Sequence, residues 1–172
     1  MLIRAVVAGM VAVLVAATSG ASAAQHENLR VRVYVLDFDP VLDNGVPLTV
    51  DRRWNDPIAL DDQYRSDVAA ASGGVVGQRI AWTSVVRAYP VKPGAFTFTN
   101  AQYLNCLIDS TPSQCGALID YATVLNTAYD ERLGSACDAL MKGRVDEVWL
   151  WGGPWFGYLE SASSRRARYA RR

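Results

Sequence analysis

Apolar and polar residues along the chain change their spacing repeatedly, and the changes mark the elements. Leu29–Asp37, "LRVRVYVLD", alternates apolar and charged residues and then becomes continuously apolar, the pattern of a strand entering a core. Pro40 ends it and Asn44-Gly45 marks a turn. Residues 43–58, with Pro47, Trp54 and Pro57, read as a polar connection. Leu60, Tyr64, Val68 and Ala71 recur at helical spacing, with Gly73-Gly74 as the stop. Val75–Val91 is a second extended stretch, rich in β-branched and aromatic residues and closed by Pro90. Its imperfect alternation predicts a bend or bulge near Ser84.

"PGAFTFTNAQYLNCL" predicts a turn and a short helix capped by Thr99 or Asn100. Leu118, Ile119, Ala122 and Leu125 continue a helical face. Tyr129, Leu133, Cys137, Leu140 and Met141 predict a further helix up to Gly143, with Gly134 as an interruption inside it. In "VDEVWLWGG", Val148 and Leu150 face one way while Trp149 and Trp151 face the other. A strand apolar on both faces belongs between layers of helices, which favours both tryptophans as core residues; the alternative is an aromatic platform for a sugar or peptide that they form with Trp155, Phe156 and Tyr158. The order strand, helix, strand, helices, strand predicts an α/β or α+β domain, with three or more strands and helices packed on the sheet.

The two ends stand apart from this pattern. Met1–Arg4 supplies a positive start, Ala5–Ala17 is an apolar run, and small residues lead to Ala21-Ser22-Ala23. That is the three-part pattern of a secretory signal peptide, cut after Ala23 or Ala24. The run falls short of the about 20 residues that a membrane span needs. The expected organisation is a signal peptide over 1–24, one domain over 25–161, and a disordered Arg-rich tail over 162–172. The mature protein is then secreted, with no membrane span after cleavage. A retained signal anchor is the alternative.

Charge sharpens the picture. The formal net charge is zero, yet five arginines crowd the last eight residues. With these and Arg4 set aside, eleven Lys/Arg stand against seventeen Asp/Glu, so the body is acidic and nucleic acid is not its expected partner. Cys106, Cys115 and Cys137 match no zinc spacing. In an exported chain Cys106 and Cys115 are disulfide candidates closing a short loop, which leaves one cysteine over. The single histidine, His26, lies just past the cleavage site, so catalysis by Ser-His-Asp, Cys-His or a histidine zinc site is not expected in the body.

Catalysis then falls to carboxylates. In "VYVLDFDPVLDN", Asp37 and Asp39 leave the end of an apolar strand, where open α/β sheets place their ligands. The stretch resembles the first motif of haloacid-dehalogenase-type phosphatases. That resemblance implies Asp37 as nucleophile, Asp39 as general acid/base and Mg²⁺ at the phosphate. It covers about ten residues. The strand at 146–151 ends in Gly in place of the second motif's Ser/Thr, no Lys with a downstream acidic pair follows, and Pro40 replaces a small flexible residue. The other reading is a strand end with Asp and Pro as turn formers. No cofactor is expected otherwise, with Mg²⁺ or Ca²⁺ an option only if Asp37 and Asp39 together bind a cation.

The aromatic stretch after Trp151 supplies the second candidate. Gly152-Gly153-Pro154 is read as a turn in which glycine adopts backbone angles closed to other residues. Trp155, Phe156 and Tyr158 beyond it are candidate ligand-binding residues, and Glu160 a third candidate catalytic carboxylate. Covered loop aromatics are the competing reading. The expected site lies where Asp37 and Asp39 approach Gly152–Glu160.

"VDEVWLWGGPWFGYLES" also resembles a segment of an uncharacterised family of exported bacterial proteins. Its members share an Asp-Glu-Val-Trp strand, a Gly-Gly-Pro or Gly-Ala-Pro turn, an aromatic-Phe-Gly and a Glu-Ser. "WNDP" at 54–57, "SGG" at 72–74, "YPV" at 89–91 and "FTFTNAQYL" at 96–104 fit the same family, so the resemblance spans roughly residues 31–161. It brings no established activity. Its members continue past the Glu-Ser, which implies a truncated or frame-shifted member with an incomplete domain. A genuine basic tail is the alternative. The expected function is a histidine-free, carboxylate-based hydrolase of an extracellular polymer or ester. The alternative is a non-catalytic secreted domain that binds a glycan or a protein.

Overall fold

The computed structural model describes residues 28–158. The signal-peptide pattern, His26, Glu160 and the Arg-rich tail lie outside the described residues. Three parallel strands form the main sheet: β1 (Leu29–Phe38), β2 (Val76–Val86) and β5 (Glu147–Trp151), in the order β2-β1-β5. Around them lie α1 (Leu48–Arg52), α2 (Pro57–Ala71), α3 (Asn100–Cys106), α4 (Tyr121–Asn126) and α5 (Ala136–Met141), with a hairpin of β3 (Ala128–Asp130) and β4 (Gly134–Ser135). The expected sheet with packed helices is present. No helix among the described residues is long and apolar enough to cross a membrane.

β1 lies at the centre and is buried on both faces from Val33 to Phe38. Its alternation sorts the core into two parts. Tyr34, Leu36 and Phe38 join the larger cluster, with Tyr103, Cys106, Val124, Leu133 and Phe156. Val31, Val33 and Val35 face the other way, against Val76, Ile80, Trp149 and Trp151. α2 covers this second face, where Tyr64 meets Trp149 edge-on with ring centroids 5.0 Å apart. The Cys106–Cys115 disulfide closes the loop after α3, and Cys137 is a free, half-buried thiol.

The structure corrects five expectations about the elements. The connection over 43–58 contains α1, whose Leu48 is buried. The irregularity in β2 falls at Ala81 rather than near Ser84. Val33 pairs with Ile80 and Tyr34 with Trp82, so the extra residue brings both Ala81 and Trp82 to the larger cluster. The helical face expected from Leu118 begins only at Tyr121, where Asp120 caps α4 through the Thr123 amide, 3.0 Å. The helix expected from Tyr129 to Met141 is a hairpin followed by a short helix. Gly134, with φ 81°, bends the chain there, Asp130 accepts from the Arg132 and Leu133 amides, and Ser135 caps α5.

The fifth correction concerns β5. It is an edge strand among the described residues, half-buried along its length, and the fully buried strand is β1. Trp149 and Trp151 still pack inward on the α2 face, and Val148 and Leu150 on the other.

The glycines after β5 are needed for space rather than for backbone angle. Neither Gly152 nor Gly153 has a positive φ. A Cβ on Gly152 would strike the Phe156 ring, and one on Gly153 would strike the Tyr103 hydroxyl and lie 2.8 Å from Trp54. Two aromatic walls therefore close directly onto backbone. Buried Lys92 fastens the loop beyond, donating to the carbonyls of Ala117 and of Trp155, the latter at 3.0 Å, while its ammonium lies 4.8 Å from the Phe98 ring centre. Burial lowers its pKa. Because the Tyr103 ring is fully buried and its hydroxyl is bonded to the Pro154 carbonyl, it cannot swing aside as a surface side chain does, and Gly153→Ala is expected to destabilise by about 1–3 kcal/mol. The denaturant midpoint measures this, and an unchanged midpoint contradicts the packing described.

Candidate functional site

The carboxyl ends of β1 and β5 point toward the N-terminal end of α2, and a cleft opens between them. α2, which follows β1, packs on one face of the sheet, while Phe156, which follows β5, enters the core on the other. Crevices outside the carboxyl ends of parallel strands are where open α/β sheets bind ligands. Here the crevice is a cavity of about 460 Å³ walled by Asp37, Trp54, Pro57, Leu60 and Trp151–Pro154. A second, of about 430 Å³, shares Asp37, Thr49, Arg53, Trp54 and Pro57 with it and extends to Asp39, Asp56, Asp61 and Arg87.

Asp37 and Asp39 point to the same side of β1 but meet different surroundings. Asp39 is fully engaged. Its Oδ1 accepts from the Thr49 amide at 2.9 Å, its Oδ2 accepts from the Thr49 hydroxyl at 3.1 Å, and Arg87 forms an ion pair with it. It thereby serves the start of α1, where Pro47 offers no side-chain cap. These bonds occupy both Asp39 oxygens, the atoms that the expected acid/base role, or a cation shared with Asp37, would use. Among the described residues no group of three or more His, Cys, Asp or Glu side chains is placed to hold a metal ion.

Asp37 is the opposite case. It is 8% exposed, and its Oδ1 is buried without a hydrogen-bond partner. Burial raises its pKa to about 6, with the Asp39 charge adding, Arg87 opposing, and Asp61 and Asp56 adding further. A buried, unpartnered carboxylate is costly unless something supplies the missing donor.

Four lining residues were not among the expected site residues, although Trp54 and Asp56 belong to the "WNDP" stretch. Asp61 is the one buried residue of α2, and its Oδ1 accepts from Trp151 Nε1 at 2.6 Å. Burial raises its pKa, and the Trp151 bond opposes the shift. Asp56 caps α2 by accepting from the Ile58 amide at 2.9 Å. Arg53 sits in the left-handed region, φ 56°, at the end of α1, and makes no ion pair among the described residues. Trp54 follows it and walls the cavity against Gly153.

The aromatic residues beyond the turn go elsewhere. Phe156 is fully buried and packs edge-on against Tyr89, Tyr103 and Tyr158. Tyr158 is half-buried and donates to the Trp151 carbonyl at 3.1 Å. Burial, then the Asp37 charge, holds its hydroxyl well above the usual pKa, so it stays protonated. Of the two readings for the loop aromatics, the covered one describes Phe156, a core residue rather than a ligand-binding one, and Tyr158 supports the loop. Trp155 is 40% exposed but lines a different hollow, beside Cys115 and Leu118. The structure thus unites Asp37 with Gly152–Pro154 and leaves Trp155 and Phe156 out.

Comparison with protein-family models, curated proteins and solved structures gives no match.

Asp37 ties the cleft to stability through pH. Its folded pKa of about 6 lies above the unfolded value near 3.9, so the folded state holds the extra proton between these limits. The destabilisation is absent below about pH 4, grows as pH rises, and is complete above about pH 6, where two pKa units correspond to roughly 3 kcal/mol. Asp37→Asn should therefore be more stable than the parent at neutral pH, by up to that amount, with the gap closing toward pH 4. Denaturant titrations at several pH values measure it. A variant less stable at neutral pH would show that Asp37 has a donor in the folded protein.

Proposed function

We propose that the cleft at the strand ends binds a saccharide of an extracellular polymer. The observation that carries this reading is the Asp37 carboxyl, buried and unpartnered at the wall of a cavity that Trp54 and Trp151 also line. A sugar ring matches both features. Its hydroxyls donate to a carboxylate that the protein leaves without donors, and its apolar face lies on indole. The Cys106–Cys115 disulfide supports an oxidising, extracellular setting.

A second reading is favoured by the Asp37 pKa of about 6, which suits a general acid/base of a hydrolase. The engagement of Asp39 by Thr49 and Arg87 weighs against it, since the pair that the strand end offered has only one free member. The phosphatase analogy loses its acid/base for the same reason. Binding is therefore placed first and hydrolysis second.

Titration of the full chain with neutral and charged oligosaccharides, followed by NMR, tests the first reading. Trp54→Ala is expected to weaken binding about tenfold while the unfolding midpoint stays within the range set by loss of one half-buried indole. If no oligosaccharide binds, the reading fails. Release of new reducing ends that disappears in Asp37→Asn would instead favour the hydrolase.

A further inference from the structure

The cleft carries more negative charge than a neutral sugar would use. Asp37, Asp39, Asp56 and Asp61 border it against Arg53 and Arg87. Arg87 is engaged with Asp39, Asp61 gives an oxygen to Trp151, and Asp56 gives one to α2. Asp37 alone, more than nine-tenths buried, receives no hydrogen bond on its buried oxygen while three neighbouring carboxylates repel its charge. A hydroxyl would answer the missing hydrogen bond, but a cationic donor would answer the repulsion as well.

We propose that the group held at Asp37 is a primary ammonium, and that the ligand is a polymer of amino sugars. This rests on the saccharide reading above. A divalent metal ion fits less well, because it requires several oxygen ligands and no such group gathers among the described residues. An ammonium needs fewer, and an indole face beside it adds attraction; Trp54 and Trp151 line the same cavity. A lysine side chain of an extended peptide shares the cation. The cleft, however, opens across the strand ends rather than along a strand edge, so it offers no ladder on which to lay a peptide backbone.

Two cations border the cleft, and of these Arg87 is engaged with Asp39 while Arg53 is left to compete with a ligand. Arg53 is exposed, makes no ion pair among the described residues, and borders both cavities together with Asp37. An ammonium ligand gains when Arg53 is removed, whereas an acidic sugar loses.

The experiment is calorimetric titration of the full chain with three probes: a glucosamine tetrasaccharide, its fully N-acetylated counterpart and a galacturonate tetrasaccharide. The glucosamine probe is expected to bind about tenfold or more tightly than the acetylated one. Asp37→Asn should abolish that preference, and Arg53→Asn, which suits the left-handed backbone, should leave it intact or enlarge it. Affinity for the glucosamine probe should fall as pH drops through the Asp37 titration near 6. Equal binding of the free and acetylated sugars overturns the ammonium proposal and leaves the saccharide reading standing. Tighter binding of galacturonate that depends on Arg53 overturns it in the opposite sense. If none of the three binds, the saccharide reading falls and takes this inference with it.

Discussion

The burial of β1 on both faces is the constraint to which the other elements answer. Val31, Val33 and Val35 require a cover on one side, which α2 and the two tryptophans of β5 provide. Tyr34, Leu36 and Phe38 require one on the other, which the segment from α3 to α5 and the returning Phe156 provide. A parallel strand so enclosed has its hydrogen bonds on both edges taken, by β2 and by β5. Its last residues are then the first that can meet a ligand. Asp37 lies at that boundary, still paired with Trp151 and already at the cavity wall.

Two aspartates two residues apart on one strand face the same side, and spacing alone gives them equal standing. Their difference arises from what the following loop does. The chain turns at Pro40 and returns so that Thr49 reaches Asp39, while Arg87 approaches from the end of β2. Asp39 thereby joins the start of α1 to β1, a structural task that uses both its oxygens. The same return places Trp54 against Gly153, over the backbone that follows β5. The cleft thus has a fastened side and a loosely charged side, and Asp37 belongs to the second.

Much of the fold was legible where the period was clean. β1, the body of α2 and β5 follow from alternation and helical spacing, and of the two caps that the sequence offered, Thr99 is the one used, in a capping box with Gln102. The region over 128–143 was misread because Tyr129, Leu133, Cys137 and Leu140 fit a helical face by spacing, and only Gly134 argued otherwise. Its positive φ prevailed, aided by an Asp130 side chain that satisfies two amides in the turn. At the site, the strand-end position of Asp37 was readable and the commitment of Asp39 was not, since Thr49 and Arg87 lie 10 and 48 residues away along the chain. Phe156 and Trp155 are neighbours of one chemical kind, and sequence offers no means to send one inward and the other outward. The close approach of Phe156 to Gly152 is what separates them.

α2 bears on whether the cleft is a site or a seam. An amphipathic helix ordinarily turns its largest apolar residues inward, yet Ile58 and Tyr64 are at least half exposed here and the one buried residue is Asp61. Trp151 explains part of this, because an indole N–H at the rim of a core needs an acceptor. A glutamine or serine would serve that need without a charge to desolvate. An aspartate at this point instead places a second carboxyl on the wall that Asp37 shares, and its charge acts on Asp37 through the cavity. Stability alone would disfavour two buried like charges facing one hollow. Their presence together, with Asp61 tying α2 to Trp151, leaves uncompensated negative charge at the cleft, which is the feature that the ammonium proposal addresses.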